Sequence, residues 1–183
     1  MRSPKFSIIT CTRNSASTVR DTIHSVNAQR FKDFEHVFID GDSIDETIRI
    51  VRDLSPSARI VEGVTGGISR AMNAGVAHAH GEIIVHLHSD DFFFDSRTLE
   101  VVARVFADPG VNWAVGNFEY LLDGNLRLPG SEVAPLTRDR LGLGNYIPHH
   151  STFIRRDFFN SSRGFQESLR YCMDYELWLQ LFA

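Results

Sequence analysis

Three polar clusters in this 183-residue chain each follow an apolar run, and each holds side chains that can grip an oxygen-rich ligand. Thr10-Cys11-Thr12-Arg13-Asn14 follows residues 6–9, Asp40-Gly41-Asp42-Ser43 follows residues 34–39, and His88-Ser89-Asp90-Asp91 follows residues 82–87. Hydroxyls and amides suit a sugar or a base. Carboxylates repel phosphate unless a divalent cation lies between them, so Asp40, Asp90 and Asp91 together suit a metal-bridged diphosphate. The spacing equally allows Asp90 and Asp91 only to cap the loop before the next helix. His86, His88 and Asp90 alternate and point to one face of an extended strand, one residue short of the H-x-H-x-D-H zinc motif of metallo-β-lactamase-like hydrolases. No G-x-G-x-x-G follows the first strand and no Gly-Lys pair exists, so neither a dinucleotide fingerprint nor a P-loop is present.

These clusters need elements to bring them together. Residues 6–10 read as a short buried strand, and residues 34–39, 60–61 and 82–88 as further strands. Each is followed by helical spacing: Val19, Ile23 and Val26; then Ile48, Val51 and Leu54; then Ile68, Met72 and Val76; then Leu99, Val102, Val105 and Phe106. Ser43 and Glu46 have the spacing of a capping box, which predicts a helix starting near Ile44. Ala71, Gly75 and Ala79 give the third helix a small face suited to close packing on a sheet. Strands alternating with helices imply right-handed βαβ crossovers, and hence a doubly wound, mostly parallel α/β sheet with helices on both faces. In such a sheet ligands bind outside the carboxyl ends of the strands, where all three clusters fall. After about residue 108 the alternation stops. Residues 113–117 and 151–154 read as strands, Asp123-Gly124 as a hairpin turn, residues 129–148 as a long connection, and residues 175–182 as a helix.

The length allows one domain, and a composition of 43% hydrophobic and 23% charged residues is that of a globular chain with a real core. A net charge of -4 argues against a nucleic-acid partner. Two cysteines, Cys11 and Cys172, are too few to staple a fold, and no apolar run approaches membrane-spanning length. The expected location is cytoplasmic.

The ordered clusters, from Ser7-Ile8-Ile9-Thr10-Cys11-Thr12-Arg13-Asn14 through Ile39-Asp40-Gly41-Asp42-Ser43-Ile44-Asp45 and Gly67-Ile68-Ser69-Arg70-Ala71-Met72-Asn73 to Ser89-Asp90-Asp91, resemble the inverting GT-A glycosyltransferases of family 2. His149-His150-Ser151-Thr152-Phe153-Ile154, Gly164-Phe165-Gln166-Glu167 and Met173-Asp174-Tyr175-Glu176-Leu177-Trp178 resemble that family's acceptor-side half. The resemblance implies one GT-A domain, with residues 1–108 binding the nucleotide sugar and residues 109–183 serving the acceptor, cut short at the C-terminus. It implies sugar transfer from a nucleotide-sugar donor to a hydroxyl of a glycan or lipid-linked acceptor, as in bacterial polysaccharide biosynthesis, at the inner face of the membrane. Thr10, Thr12, Asn14 and Asp40 would then line the nucleotide pocket. Arg70, Asn73, Asp90 and His149 would meet the donor's sugar or diphosphate. Asp90 and Asp91, with His88, would hold Mg²⁺ or Mn²⁺, and Asp174 would be the catalytic base.

Two positions depart from the family pattern. His88 stands where an Asp often precedes the carboxylate pair, and Thr65-Gly66 replaces a frequent Asp-Lys pair before Gly67. Two readings stand beside catalysis: a sugar-nucleotide-binding module with little turnover, and the zinc hydrolase built on His86, His88 and Asp90. Phe92-Phe93-Phe94 is expected to contribute two core residues and one surface ring.

Overall fold

All seven residues of strand β1, Phe6–Thr12, are buried, as a strand with neighbours on both edges and helices on both faces requires. A computed structural model describes residues 3–122, 126–130 and 134–182. The chain continues through α1 (Val19–Asn27), β2 (Phe34–Asp40), α2 (Thr47–Leu54), β3 (Arg59–Val61), α3 (Ile68–His78), β4 (Ile83–His86) and α4 (Thr98–Val105). It then forms β5 (Trp113–Val115), β6 (Glu119–Leu122), β7 (Leu126–Pro129), α5 (Arg138–Leu141), a 3-10 turn (His149–Ser151), β8 (Thr152–Arg155), α6 (Arg156–Asn160) and α7 (Met173–Leu181).

The main sheet has the order β3-β2-β1-β4-β8-β5. β1 pairs parallel with both β2 and β4, and β2 pairs parallel with β3. β8 runs antiparallel between β4 and β5, so the two halves of the chain share one sheet. β6 and β7 form a separate antiparallel pair, and the Asp123-Gly124 turn expected between them lies outside the described residues.

Alternation along β1 assigns the helices to faces. Ile9, Val37, Ile39 and Ile84 pack under α3 and α7, in a core that also takes Phe159, Phe165 and Trp178. Phe6, Ile8, Ile83 and Val85 pack under α4, and Phe38 packs under α1 and α2. The small face of α3 is as the spacing predicts: Ala71, Gly75 and Ala79 are all buried. A Cβ on Gly75 would stand 2.3 Å from Ile9 Cγ2. Gly75→Val is therefore expected to destabilise the fold by about 3 kcal/mol through overpacking, although it removes a helical glycine. A urea midpoint at or above that of the parent would refute the close approach.

Helix α2 departs from the expectation. It starts at Thr47, the side chain of the N-cap residue Glu46 makes no capping bond and instead pairs with Arg49, and Ile44 is 92% exposed. Ile50, not Ile48, joins Val51 in the core. The capping-box spacing misleads because Ser43 has a stronger partner, the buried carboxylate of Asp40. Of the residues expected on the inner face of α4, Val105 is exposed and Val102 half-buried, and the core takes Leu99 and Phe106.

Candidate active site

The ends of β1, β2 and β4 are stitched together by side chains. Asp40, 2% exposed, accepts from Thr12 Oγ1 at 2.8 Å and Ser43 Oγ at 2.6 Å on one oxygen, and from Ser43 N at 2.8 Å on the other. Ser43 Oγ in turn accepts from Asn14 N at 2.9 Å, and Asn14 Oδ1 accepts from Ile44 N at 2.9 Å. Asn14 has φ 53 and Asp42 φ 70, left-handed conformations that short polar side chains tolerate, so the chain can turn back sharply at both strand ends. Ser89 Oγ donates to Ser15 Oγ at 2.8 Å, and Ser15 N donates to Thr47 Oγ1 at 2.7 Å, which joins the end of β4 to the loop after β1 and to the start of α2. A cavity of about 180 Å³ opens beside it, lined by Thr12, Arg13, Gly41, Val64, Thr65 and Gly66 among others.

Thr10 lies below this edge. It is fully buried and its hydroxyl bonds His36 Nε2 at 2.9 Å, inside the α1/α2 face. Ser43, whose spacing to Glu46 predicts a helix cap, instead belongs to the hydrogen-bonded network around Asp40. Arg70 is exposed at the start of α3, its side chain leaning over Gly66. Asn73 has a different employment from the expected one. Its Oδ1 accepts from Phe165 N at 2.9 Å and its Nδ2 donates to Phe165 O at 2.8 Å, so the side chain fastens the loop before α7 to α3.

The loop after β4 is held by one face of α1. Thr22 Oγ1 donates to Asp91 O at 2.8 Å, Ser25 Oγ accepts from Phe93 N at 3.1 Å, and Gln29 bonds Asp95 O at 2.7 Å and Leu99 N at 3.0 Å. Thr22 and Ser25 lie one turn apart on α1, and Gln29 follows just past the helix end. Asp90 is exposed. Burial pushes the Asp91 carboxyl up; the nearby Asp90 charge adds to the rise while His150 and His88 oppose it. Phe93 is buried and Phe94 is 65% exposed under the guanidinium of Arg127, 5.5 Å from the ring centroid.

The residues present fit a divalent cation of one kind. Among the described residues no three His, Cys, Asp or Glu side chains are placed to cage a metal ion. Mg²⁺-type ions are commonly bound by one or two carboxylates and take their other ligands from a diphosphate and water, and such an ion would offset the unfavourable burial of Asp91. Burial lowers His88, so its neutral ring remains available as a nitrogen donor.

His86 answers the zinc alternative. It is 3% exposed on the α3/α7 face, its Nε2 lies 3.3 Å from Met72 O, and burial pushes its pKa down to about 3, further lowered by His88. His149 stacks on both His86 and His88, at ring-centroid distances of 5.5 and 5.3 Å, and Phe165 meets His86 and His149 edge-on. Among the described residues both ring nitrogens of His149 are enclosed without a hydrogen-bond partner, as is Trp178 Nε1, 6.1 Å away ring to ring. The histidines form a packed aromatic wall. His36 is likewise pushed down to about 3 by burial. A histidine neutral in the fold and protonated near pH 6.5 when unfolded contributes full stability above that pH and loses it as the pH falls below it. Going from pH 7 to pH 5 is expected to cost about 2 kcal/mol for each of His36 and His86. Urea midpoints at the two pH values measure this, and equal midpoints would contradict the buried neutral rings.

In the second half of the chain, α7 is preceded by the N-cap Cys172, which has φ 60, and carries Asp174 in its first turn. Asn145 Nδ2 donates to Asp174 Oδ2 at 2.9 Å. Glu176 is engaged elsewhere, by Arg163 at 3.2 Å and Gln180 at 2.7 Å. A larger open cleft, about 560 Å³, lies between Val115–Asn117 and Ala134–Leu136.

Comparison with known proteins agrees with this architecture. Residues 7–165 match glycosyl transferase family 2. A PGL/p-HBAD biosynthesis glycosyltransferase of Mycobacterium bovis is 29% identical over 187 residues, covering 100% of this chain and 72% of the relative. The chondroitin synthase of Pasteurella multocida is 28% identical over 185 residues, covering 98% of this chain and 19% of the relative. Among solved structures, S. aureus TarS in complex with UDP matches with a TM-score of 0.81 at 24% identity, covering 97% of this chain and 55% of that one. The mannosyltransferase PcManGT from Pyrobaculum calidifontis, in complex with GDP-Man and Mn²⁺, matches with a TM-score of 0.69 at 20% identity, covering 92% and 49%. The chain thus spans about half the length of these solved chains. No helix among the described residues is long and apolar enough to cross a membrane. The sheet has the GT-A arrangement, and the match over residues 7–165 places the chain in glycosyl transferase family 2.

Proposed function

We propose that the protein transfers a sugar from a nucleoside-diphosphate sugar to an acceptor hydroxyl with inversion at the anomeric carbon. The observation that carries this reading is that the fold holds two differently equipped groups of side chains. One is a hydrogen-bonded sheet edge ending in Asp90 and Asp91, and the other is a carboxylate, Asp174, that no cation among the described residues pairs with while its neighbour Glu176 is bound by Arg163.

The nucleoside would lie against Thr12, Asn14 and Asp40. An ionised carboxylate has about four acceptor positions, and three on Asp40 are filled, which leaves one on Oδ2 for an N–H of the base. Thr10 supports that pocket from beneath through His36. Arg70, at the mouth, would meet the donor's phosphates or sugar, and His149 would back the diphosphate as part of the aromatic wall. Asp90 and Asp91, with His88, would hold Mg²⁺ or Mn²⁺, whose chemistry here is neutralisation of the charge on the leaving nucleoside diphosphate. Asp174 would take the proton of the acceptor hydroxyl as its oxygen attacks the anomeric carbon from the face opposite the diphosphate. The acceptor, a glycan or lipid-linked saccharide, would enter along the cleft between Val115–Asn117 and Ala134–Leu136, and the setting would be the cytoplasmic face of the membrane.

TarS structures hold UDP and UDP-GlcNAc, and PcManGT holds GDP-Man, so UDP- and GDP-sugars form the first panel to assay. With Mn²⁺ and an oligosaccharide acceptor pool, acceptor-dependent release of nucleoside diphosphate is expected from one of them. Binding without release from any would favour the binding-module reading.

A further inference from the structure

We propose that Asn145 is the positioning residue of the catalytic base, an inference that rests on the assignment of that role to Asp174. Asn145 lies in the 134–148 connection, which carries no periodic signal of its own, and yet two bonds fix how its amide is presented. Its Oδ1 accepts from Ile147 N at 3.3 Å, and Ile147 is 2% exposed, anchored in the core with Trp178 and Leu177 of α7. With the oxygen turned to its own backbone, Nδ2 is directed at Asp174 Oδ2, 2.9 Å away. The connection is tied to the base helix a second time, by Tyr175 Oη donating to Leu141 O at 2.6 Å. Tyr146 Oη in turn accepts from Thr137 N at 3.0 Å, which keeps the same strap closed on itself.

The consequence is an asymmetric carboxylate. One oxygen of Asp174 is taken by an amide donor, and Oδ1 is the one presented to the acceptor hydroxyl. The amide limits the rotation of the carboxylate, and a base held at the right angle contributes through orientation what a freely turning one loses. A charge-assisted hydrogen bond of this kind is stronger than one between neutral groups. Asn145 touches neither substrate nor reacting atoms in this arrangement; it acts through Asp174.

Asn145→Asp separates the two uses of the side chain. Aspartate keeps an oxygen for Ile147 N, so the turn is preserved, but it replaces the donor by a second carboxylate beside the base. The variant is expected to retain the melting temperature of the parent within about 2 °C and the donor KM within about twofold, while kcat falls by about thirtyfold or more. Asn145→Ala, which loses the donor without the repulsion, is expected to fall by about tenfold. In an Asp174→Asn background, followed over hours at high enzyme concentration, adding Asn145→Asp is expected to change the rate by less than about twofold, because a positioning residue has nothing left to position. Wild-type kcat in Asn145→Asp, or a full additional loss in the double variant, would overturn the inference while leaving Asp174 in its role. Near-normal transfer by Asp174→Asn alone would instead remove the base assignment, and this inference with it.

Discussion

Asp174→Asn is expected to slow transfer by a hundredfold or more while donor affinity stays nearly constant. A sugar hydroxyl is a poor nucleophile at neutral pH, so a carboxylate must accept its proton as the new bond forms, and the amide of Asn keeps the shape but cannot do so. Were Asp174 merely a helix cap, the same change would be almost silent, since Asn caps about as well as Asp. The N-cap position of α7 belongs to Cys172, however, and Asp174 lies two residues inside. Glu176 is the competing carboxylate. It lies about 200° further round the helix and is bound by Arg163 and Gln180, so Glu176→Gln is expected to cost under about 1 kcal/mol of stability and little rate. Initial rates of nucleoside diphosphate release for both variants decide between them, and full activity of Asp174→Asn with loss in Glu176→Gln would reverse the assignment.

The second large effect falls on the donor side. Asp91→Asn is expected to weaken Mn²⁺-dependent binding of a nucleoside diphosphate by about a hundredfold, which corresponds to about 3 kcal/mol, and to leave binding of the free nucleoside unchanged. Two unit charges 4 Å apart interact by about 4 kcal/mol at an effective dielectric constant of 20, so the loss of one carboxylate beside a shared cation is of this size. Asp90, exposed, is expected to show a smaller loss of the same kind. Calorimetric titration with UDP and uridine, each with Mn²⁺ and with a chelator, separates the contributions. Equal losses for both ligands would mean that Asp91 supports the nucleoside pocket and holds no bridging ion.

The strands that position the site were legible because burial on both faces favours apolar and small hydroxyl side chains, as in residues 6–10, and because a small stripe on α3 has one use beside a sheet. The carboxyl-edge clusters followed from strand order in α/β folds. What the sequence could not carry was partner choice. Ser43 satisfies the spacing of a capping box with Glu46, and only the buried Asp40 beside it explains why the hydroxyl turns the other way. Asn73 stands one turn after Arg70, but its partner is the backbone of Phe165, 92 residues on, a pairing no periodicity encodes. The antiparallel insertion of β8 between β4 and β5 is likewise a matter of long-range pairing. Asn145 sits in a stretch with no repeat of either helical or strand period, so nothing local marked it.

The central claim is that attack and departure occur on opposite faces of the anomeric carbon, with Asp174 on one and the Asp90/Asp91 edge on the other. Proton NMR of the product formed in the first turnovers reads this directly through the anomeric coupling constant. An α-linked donor is expected to yield a β-linked product, and the yield is expected to disappear in Asp174→Asn. An α-linked product from the same donor would contradict the account.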